Sequence, residues 1–301
     1  MINFNEPYLT GNEEVYIKDV FERKQFYGNG YYTKKCQSLI GEKISVENVL
    51  LTDSCTSALE ISALLLREWD KEQEVILPSY TFSSTAAAFA RAGFKIIFAE
   101  IDPQTMMIDF EDAKKRITSR TTAIVIVHYG GFGANAKLFK ELCNANSIYL
   151  IEDAAQAFGC IEGNHHLGTI GDLGCYSFHE TKNLHAGLSG ALVINNDKFT
   201  DRAAHIWERG TNRQEVLKGL ADKYSWVEIG GSFYPTELQA AFLCAQLESF
   251  DMNFAERKNI FFGYYDFFTN NRILDFYYPE IFVNFQTNFH AFWVVFASSE
   301  E

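Results

Sequence analysis

From residue 49 to residue 196, short runs of β-branched and other apolar residues alternate with segments of helical period. Few folds accept that alternation: each strand has to return to its sheet through a helix, which gives a mostly parallel sheet covered on both faces. The strands are expected at VLL (49–51), EVILP (74–78), KIIFAEI (95–101), TAIVIVHY (122–129), IYLIED (148–153), GCYSF (174–178) and GALVIN (190–195). Helices are expected at 56–68, 83–92, 109–117, 134–146 and 198–209. Thr236, followed by ELQAAFLCAQLESF, signals one more, with a hydroxyl cap ahead of apolar residues at core-facing spacing. The class is α/β.

Composition narrows what such a domain does. Twenty-six basic against 39 acidic side chains leave a formal charge of -13, so no general positive field exists to hold nucleic acid or an anionic membrane. The six cysteines show neither paired nor metal-type spacing and read as reduced, buried thiols; no metal is expected. The N-terminus lacks the charged start and apolar stretch of a signal peptide. No apolar run nears the roughly 20 residues needed to cross a bilayer, so the expected location is cytoplasmic. Residues 260–296 are loaded with Phe and Tyr, in FFGYYDFF, DFYYPEIF and HAFWVVF, and suggest the start of a further domain with a solubility weakness.

Three places carry chemistry. In LTDSCTSALEISALLL a strand leads through Ser54, Cys55, Thr56 and Ser57 into an apolar helix, and free N–H groups at such a start suit a phosphate. An ordinary helix cap is the plain alternative. Asp153 ends a buried strand, where open α/β sheets bind ligands, or else caps the helix that follows. Lys182 lies in a loop between two apolar strands. It is either a solvated loop residue or an amine whose desolvation frees it for Schiff-base chemistry. Together they make three parts of a pyridoxal 5'-phosphate (PLP) site.

The segments PSYTFSST (78–85), EDAAQA (152–157), SFHETKN (177–183) and PTELQAAFLCAQLE (235–248) resemble, in order and spacing, the DegT/DnrJ/EryC1/StrS sugar aminotransferase family. The resemblance implies a PLP-dependent aminotransferase of fold type I, a three-layer α/β/α arrangement. It divides the chain into a large PLP-binding domain (1–250) and an incomplete, truncated start of a small C-terminal domain (251–301). It assigns Lys182 the catalytic Schiff base, Asp153 the pyridine nitrogen, Gln156 the ring hydroxyl, Thr56, Ser57 and Ser177 the phosphate, and Phe82 the ring face. Family members are homodimers with shared active sites, in which an asparagine of one subunit reaches the phosphate of the other. In GGSFYPTELQAA that place falls to Ser232.

LLTDSCTSALE, SYTFSSTA, GTIGDLGCYSFHETKN, ERGTNR and DKYSW resemble most the subgroup making dTDP-4-amino-4,6-dideoxygalactose for enterobacterial common antigen, a surface polysaccharide. The implied reaction passes an amino group from glutamate to carbon 4 of dTDP-4-keto-6-deoxyglucose. Relatives aminating another nucleotide keto-sugar, whether a 3-keto sugar or a GDP- or UDP-linked 4-keto sugar, share the same cofactor blocks, and an inactive member is a further alternative. Lys34, Lys35, Arg209 and Arg213 are candidates for the pyrophosphate. His128 either lines the cofactor cavity or is a hydrogen-bonded residue at a strand end.

Overall fold

The computed structural model describes residues 6–271, 276–279 and 285–296. Seven strands form the central sheet: β1 (Val49–Thr52), β2 (Glu74–Pro78), β3 (Lys95–Ala99), β4 (Thr121–Val127), β5 (Tyr149–Asp153), β6 (Leu173–Ser177) and β7 (Gly190–Ile194). They lie in the order β3-β2-β4-β5-β6-β7-β1. The β2–β3, β2–β4, β4–β5 and β5–β6 pairs are parallel, whereas β7 runs antiparallel to both β6 and β1. The reversal follows from the connection. Residues 178–189 contain no helix, and a parallel return normally needs a crossover.

Ten helices are seen among the described residues. Two precede the sheet, α1 (Glu13–Arg23) and α2 (Tyr31–Ile44). Five alternate with or follow its strands, α3 (Cys55–Leu66), α4 (Ser83–Arg91), α5 (Phe110–Lys115), α6 (Ala136–Asn146) and α7 (Thr200–Trp207). The last are α8 (Arg213–Leu217), α9 (Glu237–Glu248) and α10 (Phe250–Asn270). Strand periodicity sorts the core. Along β4, Ala123 and Val125 face a cluster built from α3, α4 and α7, while Ile124 and Ile126 face one containing Phe139 of α6 and Phe261 of α10. Along β7, Leu192 and Ile194 join the first face, and Ala191 and Val193 join residues of α2 and α9. The helices therefore form two outer layers, and strands buried on both sides read as continuous apolar runs.

Helices α2 and α9 are locked end to end. The buried carboxylate of Glu237, in the first turn of α9, accepts N–H bonds from Gly30 (2.9 Å), Tyr32 (2.7 Å) and Thr33 (3.2 Å), and the Thr33 hydroxyl donates to it at 2.5 Å. It thus caps the N-terminus of a helix some 200 residues earlier in the chain. Later, Phe285–Gln286 pairs with Ile161–Glu162, and the Asn288 amide donates to the carbonyls of Gln156 (2.9 Å) and Phe158 (3.1 Å). This returns residues 287–293 to the sheet-bearing body. The aromatic stretch expected to weaken solubility is partly buried through Phe261 and Phe289, but Ile260, Tyr264 and Phe267 of α10 are more than half exposed. All six cysteines are buried and unpaired. No helix among the described residues is long and apolar enough to cross a membrane.

Candidate active site

A cavity of about 890 Å3 opens where the carboxyl ends of β4, β5 and β6 meet the first turns of α3 and α4. This is where parallel sheets present ligands, because strand ends and helix N-termini converge there. Thr56, Phe82, Asp153, Gln156, Ser177 and Lys182 all line it. Sequence had placed them in one site although they come from four separate segments.

The start of α3 forms one wall. Ser54 caps the helix, its hydroxyl accepting the Ser57 N–H at 3.1 Å, and Ser54, Cys55 and Thr56 face the cavity. The plain cap is therefore present, and the same turn faces the cavity. The Thr56 hydroxyl donates to Ser84 at 2.9 Å, and the buried Ser57 hydroxyl sits 3.0 Å from that of Ser54, just behind the lining. Strand β7 passes beneath this turn so closely that a Cβ on Gly190 would lie 2.4 Å from the Cys55 nitrogen, so only glycine fits.

Asp153 ends β5, buried. Its Oδ2 accepts the Thr85 hydroxyl at 2.8 Å and its Oδ1 the Ala155 N–H at 3.1 Å, which fixes the carboxylate plane. Burial outweighs those bonds and the nearby Lys182 charge, and raises its pKa. Lys182 is held by a short turn, its N–H bonding the His179 carbonyl at 2.8 Å. Burial lowers its pKa against the opposing pull of Cys55 and Asp153. A desolvated amine of this kind is a nucleophile. Gln156 is oriented by the Gly130 N–H, which donates to its Oε1 at 2.6 Å, and the Ser177 hydroxyl accepts the His179 N–H at 3.3 Å. Phe82 is 75% exposed at the cavity wall, a flat apolar face available to cover a ring.

His128 takes the plainer of its two readings. It does not line the cavity; its Nδ1 accepts the Ala134 N–H at 3.1 Å, so Nε2 carries the proton and donates to Glu152 at 2.8 Å. Glu152 also accepts N–H bonds from Gly168 (2.8 Å), Ile170 (2.7 Å) and Gly171 (2.5 Å), a buried network that braces β5 behind Asp153. Ser232 likewise lies outside the cavity of its own chain, where its hydroxyl accepts from Arg209 at 3.3 Å.

Of the basic candidates, Lys35 pairs with Glu248 at 2.8 Å and Arg213 with buried Glu208 at 2.5 Å, while Arg209 lies over the rings of Tyr27 and Tyr234. Lys34 has no side-chain partner among the described residues. It lines a second cavity of about 380 Å3 with Arg213 and Lys218. Sequence reasoning missed Thr85, Arg257 and His290, all of which line the larger cavity. Only the hydroxyl-rich SYTFSST run hinted at the first, and nothing local marked the other two.

An amine, a carboxylate and a hydroxyl-lined helix start around one cavity are the donor set PLP requires, for its carbonyl, its ring nitrogen and its phosphate respectively. Fold and donor set together define a PLP-dependent aminotransferase. Residues 7–298 match the sequence profile of the DegT/DnrJ/EryC1/StrS aminotransferase family, and the chain belongs to that family. It is 29% identical to the GDP-perosamine synthase of Vibrio cholerae over 263 residues, covering 86% of this chain and 69% of that one. It is 28% identical to the dTDP-4-dehydro-2,3,6-trideoxy-D-glucose 4-aminotransferase of Saccharopolyspora spinosa over 231 residues, 76% of this chain and 60% of that one. Among solved structures, the aminotransferase TlmJ of Streptoalloteichus hindustanus superposes with a TM-score of 0.87 at 26% identity, covering 98% of this chain and 78% of that one.

Proposed function

We propose that the protein transfers an amino group from glutamate to carbon 4 of a nucleotide-linked 4-keto-6-deoxy sugar, as a cytoplasmic homodimer serving surface polysaccharide synthesis. One observation carries this reading: half-buried Lys182 and buried Asp153 share a cavity with the N-terminus of α3. When bound, PLP supplies a carbonyl that captures amines and a ring that withdraws electrons. Lys182, its pKa lowered by burial, would attach that group and would then take up and return the proton at the substrate carbon. Asp153, held by Thr85 and Ala155, keeps a proton on the ring nitrogen, because a buried carboxylate favours a cationic partner. Thr56, Ser57 and Ser177 hold the phosphate, Gln156 the ring hydroxyl, and Phe82 excludes water from the ring face. Ser232 of one subunit serves the phosphate of the other.

The sugar's pyrophosphate falls to Lys34, the one cation among the four candidates with no described side-chain partner, with Arg213 beside it. The nucleotide is the open choice. The sequence blocks favour dTDP-4-keto-6-deoxyglucose, giving dTDP-4-amino-4,6-dideoxygalactose, while the likeness to a GDP-perosamine synthase supports a GDP-linked 4-keto sugar as the second reading. Purified protein given PLP is expected to absorb near about 400 nm, and Lys182→Ala to lose the band. Incubation with glutamate and each keto-sugar, with the product read by NMR, is expected to give a 4-amino sugar. A colourless wild type, or no amine from any sugar, would sink the reading.

A further inference from the structure

Most arginines of this protein are neutralised by a neighbour. Arg23, Arg91, Arg116, Arg120, Arg202 and Arg213 each pair with a carboxylate. Arg257 of α10 does not. Among the described residues no Asp or Glu reaches its guanidinium, and its one hydrogen bond is a long one, Nη1 donating to the His290 carbonyl at 3.5 Å. Burial alone lowers its pKa, yet a guanidinium stays charged across the working range. An unpaired, desolvated cation is costly, and this one lines the same cavity as Lys182.

The neighbouring imidazole sharpens the point. The Asn183 amide donates from Nδ2 to the Asn288 carbonyl at 2.7 Å, so its Oδ1 faces His290, whose Nδ1 carries the proton of their 2.9 Å bond. His290 Nε2 therefore keeps a lone pair. Burial, with the charges of Lys182 and Arg257, pushes its pKa down to about 3. It stays neutral, and the two cations that act on it line the same cavity.

An anion held by Arg257 in this cavity shares it with the reacting amine. The carboxylate of an amino acid is bonded directly to the carbon that carries the amine, whereas the pyrophosphate of a nucleotide sugar leaves the ring at carbon 1, across from carbon 4. We propose that Arg257 binds a carboxylate of the amino donor, with His290 as a neutral spacer that leaves the guanidinium free to do so. This rests on the glutamate-dependent reading above.

The test compares wild type with Arg257→Gln and Arg257→Lys. Glutamate is titrated against the PLP-loaded proteins by absorbance, and 2-oxoglutarate against the cofactor-free proteins by calorimetry. The Gln variant is expected to bind both about 100-fold more weakly, and the Lys variant, which keeps the charge and loses the fork, about tenfold. Pyridoxamine-phosphate-loaded Arg257→Gln is expected to aminate the keto-sugar within about threefold of the wild-type rate, a scale set by the same charge-assisted bond being absent from that step. Alanine, with only the carboxylate beside the amine, and 4-aminobutyrate, with only the remote one, tell which carboxylate is held by which loses affinity in the variants. Unchanged glutamate and 2-oxoglutarate binding in both variants, or a loss confined to the sugar, overturns the proposal. A wild type that aminates no sugar overturns the proposed function instead, while the calorimetry still decides Arg257.

Discussion

Burial pushes Lys182 and Asp153 toward neutrality from opposite sides, lowering the one and raising the other, and readies both for a ligand that restores their charges. Both were legible only in combination: alone, an acid closing an apolar strand reads equally as a helix cap and a lysine in a loop as a solvated charge, and the order and spacing of several blocks decided between these readings. Thr85 was not, since its partner Asp153 lies 68 residues away, nor were Arg257 and His290, which reach the cavity only through the path of α10 and the return of residues 287–293. His290 also yields a pH dependence. Its folded pKa of about 3 lies below the ordinary value of 6.5, so the unfolded chain binds the proton first. Its contribution to stability is full above about 6.5 and is lost progressively as pH falls toward about 3. His290→Gln is expected to lose less stability than wild type between about pH 7 and pH 4, read from urea midpoints. Parallel losses in the two proteins would remove this residue from the acid response.

Elements buried on both faces were placed within a residue or two, because β2, β4, β5, β6 and β7 are nearly unbroken apolar runs between polar turns. Helices α1 and α2 went unread. In α1 the only buried apolar side chain is Val20, whereas in α2 Tyr32, Cys36, Ile40 and Ile44 form a buried stripe at i, i+4 spacing, interrupted in sequence by polar residues and flanked by the buried Thr33 and Gly41. Beyond that packing, α2 is held at its start by the carboxylate of Glu237, a residue the TELQAA block displays without saying what it caps. Glu237→Ala is expected to cost about 3 kcal/mol by urea unfolding, since it leaves several buried donors unpaired, against about 1 kcal/mol for Thr236→Ala, an ordinary cap. Equal costs for the two would show that α2 is not held from across the molecule.

Across the whole molecule, the parallel body was legible as a class, but the position of β1 was not, because its neighbour in space is the last strand in sequence. Strand β1 lies at the sheet edge, paired with β7 alone, and Leu50 faces Leu192 across some 140 residues of intervening chain. Such a pairing bears the loop-closure entropy of all that intervening chain before any of its contacts form. In refolding followed by pulsed hydrogen exchange, the β1 amides are expected to gain protection together with β7 and after β4 and β5. Earlier protection of β1 would contradict that order. The same late strand carries Gly190, over which the first turn of α3 is seated. On the ribosome the first strand made therefore waits for the last, and the α3 turn proposed to cradle the phosphate is seated only once Gly190–Ile194 has emerged, so a nascent chain stalled before that point holds its lysine and aspartate without the wall that faces them.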